Sequence, residues 1–224
     1  MTKMKNVLVS LFFMFSIYLV AQEDRFGVTI GATNYITDTD LLFSKSSTGF
    51  TFGVFATKEF NERSALFMEI NYSRHFVKFV GRENELATPE DIKFNLERVS
   101  VPFSYNYSYL ILDNFNFGVN VGPSFELYHD YKLTDESKEG YLLDPLLIPA
   151  QDLRFDILSD DNTISFNMLI LFGLNVQYKE NLMASLRYYY GVTNPYRRSP
   201  FYSTLVETSG KESYFTFTLT YFFN

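Results

Sequence analysis

Three features of this 224-residue sequence predict an all-β fold, a transmembrane antiparallel up-and-down β-barrel of about eight strands. The chain carries 25 Phe and 17 Tyr, yet its mean hydropathy is only -0.07. Apolar residues recur at every second position in runs that mostly match the roughly 9–11 residues a tilted strand needs to cross a bilayer. The connections between these runs alternate long and short, as barrels with tight turns on one side and large loops on the other require. A helical membrane protein with this aromatic load would be far more hydrophobic. A wall with one apolar and one polar face reconciles the two quantities.

The first segment is read apart from the fold. Lys3 and Lys5 form a positive start, Val7 to Val20 an apolar stretch, and Ala21 a small residue suited to cleavage. Residues 1–21 are therefore expected to be a cleaved signal peptide, and 22–224 the barrel domain. The signal holds two lysines and no acidic residue, so the mature balance is 19 − 2 = 17 basic against 26 acidic, a net of -9. Such acidity argues against nucleic acid as a partner. The absence of Cys excludes a disulfide framework, a thiolate metal site and lipid attachment at an N-terminal cysteine. No second apolar run is long enough for a spanning helix, so further crossings fall to strands.

The alternation runs in order along the chain. Phe26, Val28, Ile30 and Ala32 open it, followed by Phe50, Phe52, Val54 and Ala56, then Leu66, Met68, Ile70 and Tyr72. A fourth set is Val99, Val101, Phe103, Tyr105, Tyr107 and Tyr109, and a fifth is Phe115, Phe117, Val119, Val121, Phe125 and Leu127. The sixth runs from Ile164 to Tyr178, the seventh from Leu182 to Val192, and the last from Phe215 to Phe223. Tight turns are expected at 61–64, 112–114 and 179–181, and long loops at 36–48, 81–92, 130–162 and 194–212. With both termini in the periplasm, the tight turns lie there and the loops outside.

Two irregularities qualify the pattern. Ile92, Phe94 and Leu96 hold even parity and Val99 onward odd parity, which predicts a bulge near Glu97 and Arg98. Pro102 and Pro123 each remove a ladder donor, suggesting bulges or strand ends. The 130–162 connection is long enough to hide another hairpin, leaving ten strands as an alternative.

A soluble ligand-binding barrel alternates in the same way but turns its apolar face inward and its charges to water. Here the second face is mostly Gly, Ser, Thr and Asn, suited to a crowded narrow interior. The apolar face is a belt that would aggregate in water and is at home in lipid. Lipid outside is the reading adopted, which locates the chain in the outer membrane of a Gram-negative cell. Phe26, Phe60, Phe115, Tyr178 and Tyr221 are expected to form one aromatic girdle, and Tyr35, Tyr72, Tyr128 and Tyr190 the other.

Candidate chemistry is sparse, and no catalytic, cofactor or metal site is assigned. Glu69, Glu126 and Arg187 are expected to face the lumen and form a carboxylate–guanidinium network that plugs the barrel, since buried charges must be paired or solvated. The interior of eight strands is nearly filled by side chains, which weighs against an open pore, although a narrow channel is an alternative. The only histidines, His75 and His129, would serve a surface hydrolase if they met at the outer rim; no nucleophile motif surrounds them. The 130–162 loop holds nine acidic residues, among which Asp160-Asp161-Asn162 could take Ca²⁺, but a solvated acidic loop is the favoured reading. Arg197 and Arg198 are candidates for lipopolysaccharide phosphates.

Several short motifs carry a family likeness. Leu186-Arg187-Tyr188-Tyr189-Tyr190-Gly191-Val192-Thr193-Asn194 resembles the R-Y-x-x-G-L-T-N stretch of PorT-like, porin-family outer-membrane β-barrels. Val99-Ser100-Val101-Pro102-Phe103 is similar to that family's x-x-I-P-L strand, and Gly122-Pro123-Ser124 to its G-P-x strand. Phe215 to Phe223 resembles the signal read by the barrel-assembly machinery, with Asn224 departing from the usual terminal aromatic. The resemblance implies an outer-membrane barrel without catalytic residues and, in some members, a role in protein secretion. Expected partners are therefore outer-membrane lipid and lipopolysaccharide, the assembly machinery, and a protein met through the extracellular loops.

Overall fold

The structure is a computed structural model and describes residues 25–39, 43–145, 147–150, 167–193 and 210–223. Its elements are β1 (Arg25–Thr39), β2 (Ser44–Lys45), β3 (Ser47–Asn61), β4 (Ser64–Arg82), β5 (Glu90–Ile111), β6 (Phe115–Leu133), β7 (Leu142–Leu143), β8 (Ile148–Pro149), β9 (Asn167–Tyr178), β10 (Leu182–Gly191) and β11 (Gly210–Phe223). Eight of them form the wall. Each pairs antiparallel with its sequence neighbour, and β1 pairs with β11 from Phe26↔Phe223 to Thr39↔Gly210, closing the ring. Closure leaves no lipid-facing sheet edge, the condition for strands to cross hydrocarbon.

The chemistry of the two faces follows the alternation. Outward side chains include Phe26, Ile30, Phe52, Val54, Leu174 and Phe217, all exposed and apolar. Inward ones include Thr29, Thr33, Thr51, Ser73, Asn71 and Thr218, all buried. The tight turns join β3 to β4, β5 to β6 and β9 to β10 at the end that also holds both termini of the wall. Phe115 and Tyr178 meet there at 5.0 Å and Phe26 and Phe223 at 5.5 Å, an aromatic girdle on the lipid face.

The strands are unequal in length. β4, β5 and β6 run for 19, 22 and 19 residues, while β9 and β10 run for 12 and 10. Crossing a bilayer takes roughly 9–11 residues, so the three long strands rise well beyond it as a projecting sheet. The 130–162 connection adds no wall strand within the described residues. Its described residues supply β7, which pairs with Gly81 and Arg82 of β4, and β8, which pairs with β7. The described wall is thus eight-stranded, not ten.

This small hairpin folds back over the barrel mouth. Leu143 and Ala150 are fully buried against Val77, Phe79, Ile92, Phe94, Leu96, Tyr131, Leu169 and Leu171. Arg82 clamps it, donating from Nε and Nη2 to the Asp144 carboxylate at 3.0 and 2.7 Å. Before the hairpin, Asp135 caps a single turn at 136–138 by accepting from the Ser137 amide and hydroxyl, which hold its carboxyl below the usual carboxylate range.

Three expectations about the wall need adjusting. The bulge expected near Glu97 and Arg98 lies one residue on, opposite Val99 and Ser100, and on the β5–β6 ladder alone, because β4 and β5 keep one register from Ser64↔Tyr107 to Gly81↔Glu90. Ile92, Phe94, Leu96, Arg98 and Ser100 all point inward, and only the chemistry of the inward face changes. The register slips instead lie between β5 and β6, where Leu127 and Tyr109 are the extra residues. Neither proline shifts the register or ends a strand: Pro102 pairs with Ser124 and Pro123 with Ile170, while on the other side of each the pairing skips the proline, between Met68↔Phe103 and Asn71↔Ser100 and between Pro102↔Ser124 and Tyr105↔Val121. Tyr35 is no girdle residue. It shares the odd parity of Thr29 and Thr33 and is buried in the lumen.

Candidate functional site

The lumen is built in layers. At the end with the tight turns, Phe55, Phe67, Met183 and Phe222 form an apolar plug, with Phe222 edge-on to Phe55 at 5.0 Å. Gly27 makes room for it, since a Cβ there would come within 2.7 Å of the Phe55 ring and 1.9 Å of the Tyr221 carbonyl oxygen. A polar vestibule of about 560 Å³ opens beneath the plug and reaches Phe67.

Above the plug lies the first charged layer. Arg187 Nη1 meets both carboxylate oxygens of Glu69, at 2.7 and 2.9 Å, and Asn71 Nδ2 donates to Glu69 at 3.0 Å. All three are buried. Gly173 faces Arg187 across the ladder, and a Cβ there would stand 2.8 Å from the Arg187 Cγ. The glycine leaves space for the aliphatic stem to turn inward.

The second layer gathers around Arg98. Its guanidinium pairs with Glu126 and lies 3.6 Å from Glu212, and all three side chains are buried. Asn167 Nδ2 donates to Glu126 at 2.6 Å and to Glu212 at 3.2 Å, while its carbonyl accepts from the Thr193 hydroxyl at 2.9 Å. His129 Nε2 stands 3.2 Å from Glu212. The Tyr214 and Tyr35 rings cover the Arg98 guanidinium at 4.7 and 5.3 Å, and Tyr189 stacks on Tyr214 at 4.4 Å. The apolar cluster under the hairpin closes this layer from above.

Of the residues marked from sequence, Glu69 and Arg187 are therefore brought together, whereas Glu126 takes Arg98 as its cation. Arg98 and Glu212 were missed. Both were legible by parity, Arg98 with Ile92–Leu96 and Glu212 with Tyr214–Thr220, once those inward runs are followed past the membrane. His75 is fully buried with Nδ1 3.0 Å from the Thr33 hydroxyl, and His129 lies against Glu212 inside the barrel. Neither stands on a solvent-facing rim, which removes the geometric basis of the surface hydrolase. Arg197, Arg198 and Asp160-Asp161-Asn162 lie outside the described residues. Among the described residues no group of three or more His, Cys, Asp or Glu could hold a metal.

Arg187→Ala would leave the Glu69 carboxylate buried without its cation, and breaking such a pair costs about 3–5 kcal/mol. Urea unfolding in lipid vesicles is expected to show that loss, and the double variant Glu69→Gln with Arg187→Met to recover most of it. Equal loss in the single and double variants would place the effect in packing instead of charge.

A closed eight-stranded wall, apolar outside and with its buried charges paired or hydrogen-bonded within, defines an outer-membrane type of β-barrel. Residues 20–197 match the family described as outer membrane protein beta-barrel domain, and the chain belongs to that family. It is a protein of the outer membrane. Among solved structures it is similar to Ail of Yersinia pestis, at 12% identity and TM-score 0.44, covering 90% of this chain and all of that one. It is also similar to Neisserial surface protein A, at 14% identity and TM-score 0.48, covering 88% of this chain and 96% of that one. OprG of Pseudomonas aeruginosa gives 9% identity and TM-score 0.43, covering 90% and 94%. No curated protein matches the chain.

Proposed function

We propose that the chain is a sealed, non-enzymatic outer-membrane barrel whose work is done by what it holds above the bilayer. The observation that carries this reading is the layered lumen. Apolar side chains close both ends, and the charges between them are spent on one another. Permeation requires a wet path, and a filled eight-stranded interior offers none. The projecting sheet of β4, β5 and β6 with its docked hairpin is a built platform for lipid or protein contact. Residues 1–21 act as a cleaved export signal in a Gram-negative cell, the barrel-assembly machinery inserts residues 22–224, and Arg197 and Arg198 add lipopolysaccharide contacts. The PorT-like motifs in 99–103, 122–124 and 186–194 support an accessory role in protein secretion.

Planar-bilayer recordings of the refolded mature chain test the seal. The expected result is no stepwise conductance at any holding voltage. Reproducible single-channel steps would replace this reading with the narrow channel.

A further inference from the structure

The outward face of the projecting sheet carries a row of like charges. Lys45 of β2 lies directly opposite Lys78 of β4, and Lys78 lies directly opposite Lys93 of β5. Opposed residues on neighbouring strands stand about 5 Å apart at Cα, so three ammonium groups are anchored within roughly 10 Å. Like charges placed directly opposite one another destabilise a sheet, so the row does not serve the barrel's own stability. One carboxylate answers it: Asp91 accepts from Lys45 Nζ at 2.5 Å. Among the described residues neither Lys78 nor Lys93 has an ion pair within 4 Å, which leaves a local excess of two positive charges in a chain that is acidic as a whole. The neighbouring cations differ. Lys132 is taken by Glu97 at 2.7 Å and Lys138 by Glu90 at 2.6 Å.

The row also has a defined height. On β4 the outward face reads Leu66, Met68, Ile70, Tyr72, Arg74, Phe76 and then Lys78. Ile70 and Phe76 are exposed apolar residues, and the Arg74 guanidinium lies 5.9 Å over the Phe76 ring. Arg74 and Phe76 together mark the upper edge of the apolar belt, and the lysine row begins directly above them, on the loop side of the membrane. We propose that Lys45, Lys78 and Lys93 bind the phosphate groups of a phosphorylated glycolipid headgroup in the outer leaflet. Three donors on neighbouring strands match a phosphate's three-fold acceptor surface, and the lipid's acyl chains would lie along the belt immediately below. This assignment rests on the proposed role in lipid contact and gives it a specific site.

The test uses the full mature chain in phosphatidylethanolamine vesicles carrying purified lipopolysaccharide, the same lipopolysaccharide dephosphorylated, or neither. Affinity is read from the rise in unfolding midpoint with lipopolysaccharide content. The parent is expected to bind the phosphorylated form best. The triple variant K45Q/K78Q/K93Q should lose about tenfold or more, because each lysine near an anionic surface adds to the attraction. It should also cease to distinguish the two lipopolysaccharides. In phosphatidylethanolamine alone its midpoint should equal or exceed the parent's, since mutual repulsion is relieved, and K58Q, near the opposite end of β3, should behave as parent. A triple variant that binds as tightly as the parent overturns the lysine row while leaving lipid contact standing. A parent that binds neither lipopolysaccharide overturns lipid contact itself. Full competition by millimolar inorganic phosphate would assign the row to a free anion and overturn the glycolipid.

Discussion

Arg98→Met is expected to lower the unfolding free energy of the barrel by about 3–5 kcal/mol, the cost of stripping a buried ion network of its cation. Arg98 is the cation that the second layer shares, since Glu126 pairs with it directly and Glu212 lies 3.6 Å away. Both carboxylates also take the same Asn167 amide, which as a neutral donor cannot offset two charges. Methionine keeps the apolar stem out to about the position of Nε and removes the guanidinium that the Tyr35 and Tyr214 rings cover, so the change deletes mainly the charged group. Urea titration in vesicles, followed by the heat-dependent gel shift of the folded barrel, measures the effect. Adding Glu126→Gln and Glu212→Gln to Arg98→Met should recover most of the loss. Failure of this charge-free variant to recover would mean that Arg98 acts through shape alone.

The same residue shows how far the sequence could be read and where the reading turned false. Within the bilayer the rule is apolar outward and polar inward, and it located Phe52, Val54, Phe217 and their neighbours on the outside of the wall. Beyond the bilayer the rule inverts, because water now bathes the outer face and the inner face becomes a core. On β5 the inward residues change from Ser100 and Arg98 to Leu96, Phe94 and Ile92 with no change of parity. Taking apolar to mean outward at every height turned this inversion into a bulge on β5. The true slip at Leu127 falls on β6, where Glu126 and then His129 and Tyr131 point inward. Glu212 was passed over for a related reason: it was assigned to a loop, although it keeps the inward parity of Tyr214 to Thr220. Only side-chain geometry settled which cation met which carboxylate, since parity assigns a face and gives no partner across the lumen.

Ile30→Arg tests the orientation of the whole wall. Ile30 is 65% exposed near the middle of β1's membrane-crossing stretch, flanked by Leu219 on β11 and Phe52 on β3. If acyl chains surround it, an arginine at this depth costs about 2–4 kcal/mol. The matching change at Val80, on the outward face of the projecting sheet and opposite Asp91, introduces the same side chain beyond the lipid and should cost less than about 1 kcal/mol. Both substitutions replace a β-branched apolar residue on the outward face of one sheet, so strand propensity is similar in the two, and Val80, the more buried, would lose the more packing if water bathed both. The difference between them isolates the surrounding medium. A barrel bathed in water at both heights would show two small effects, the larger at Val80, and its solubility without detergent would rise with the Ile30 substitution. A large loss confined to Ile30 assigns hydrocarbon to the lower height and water to the upper.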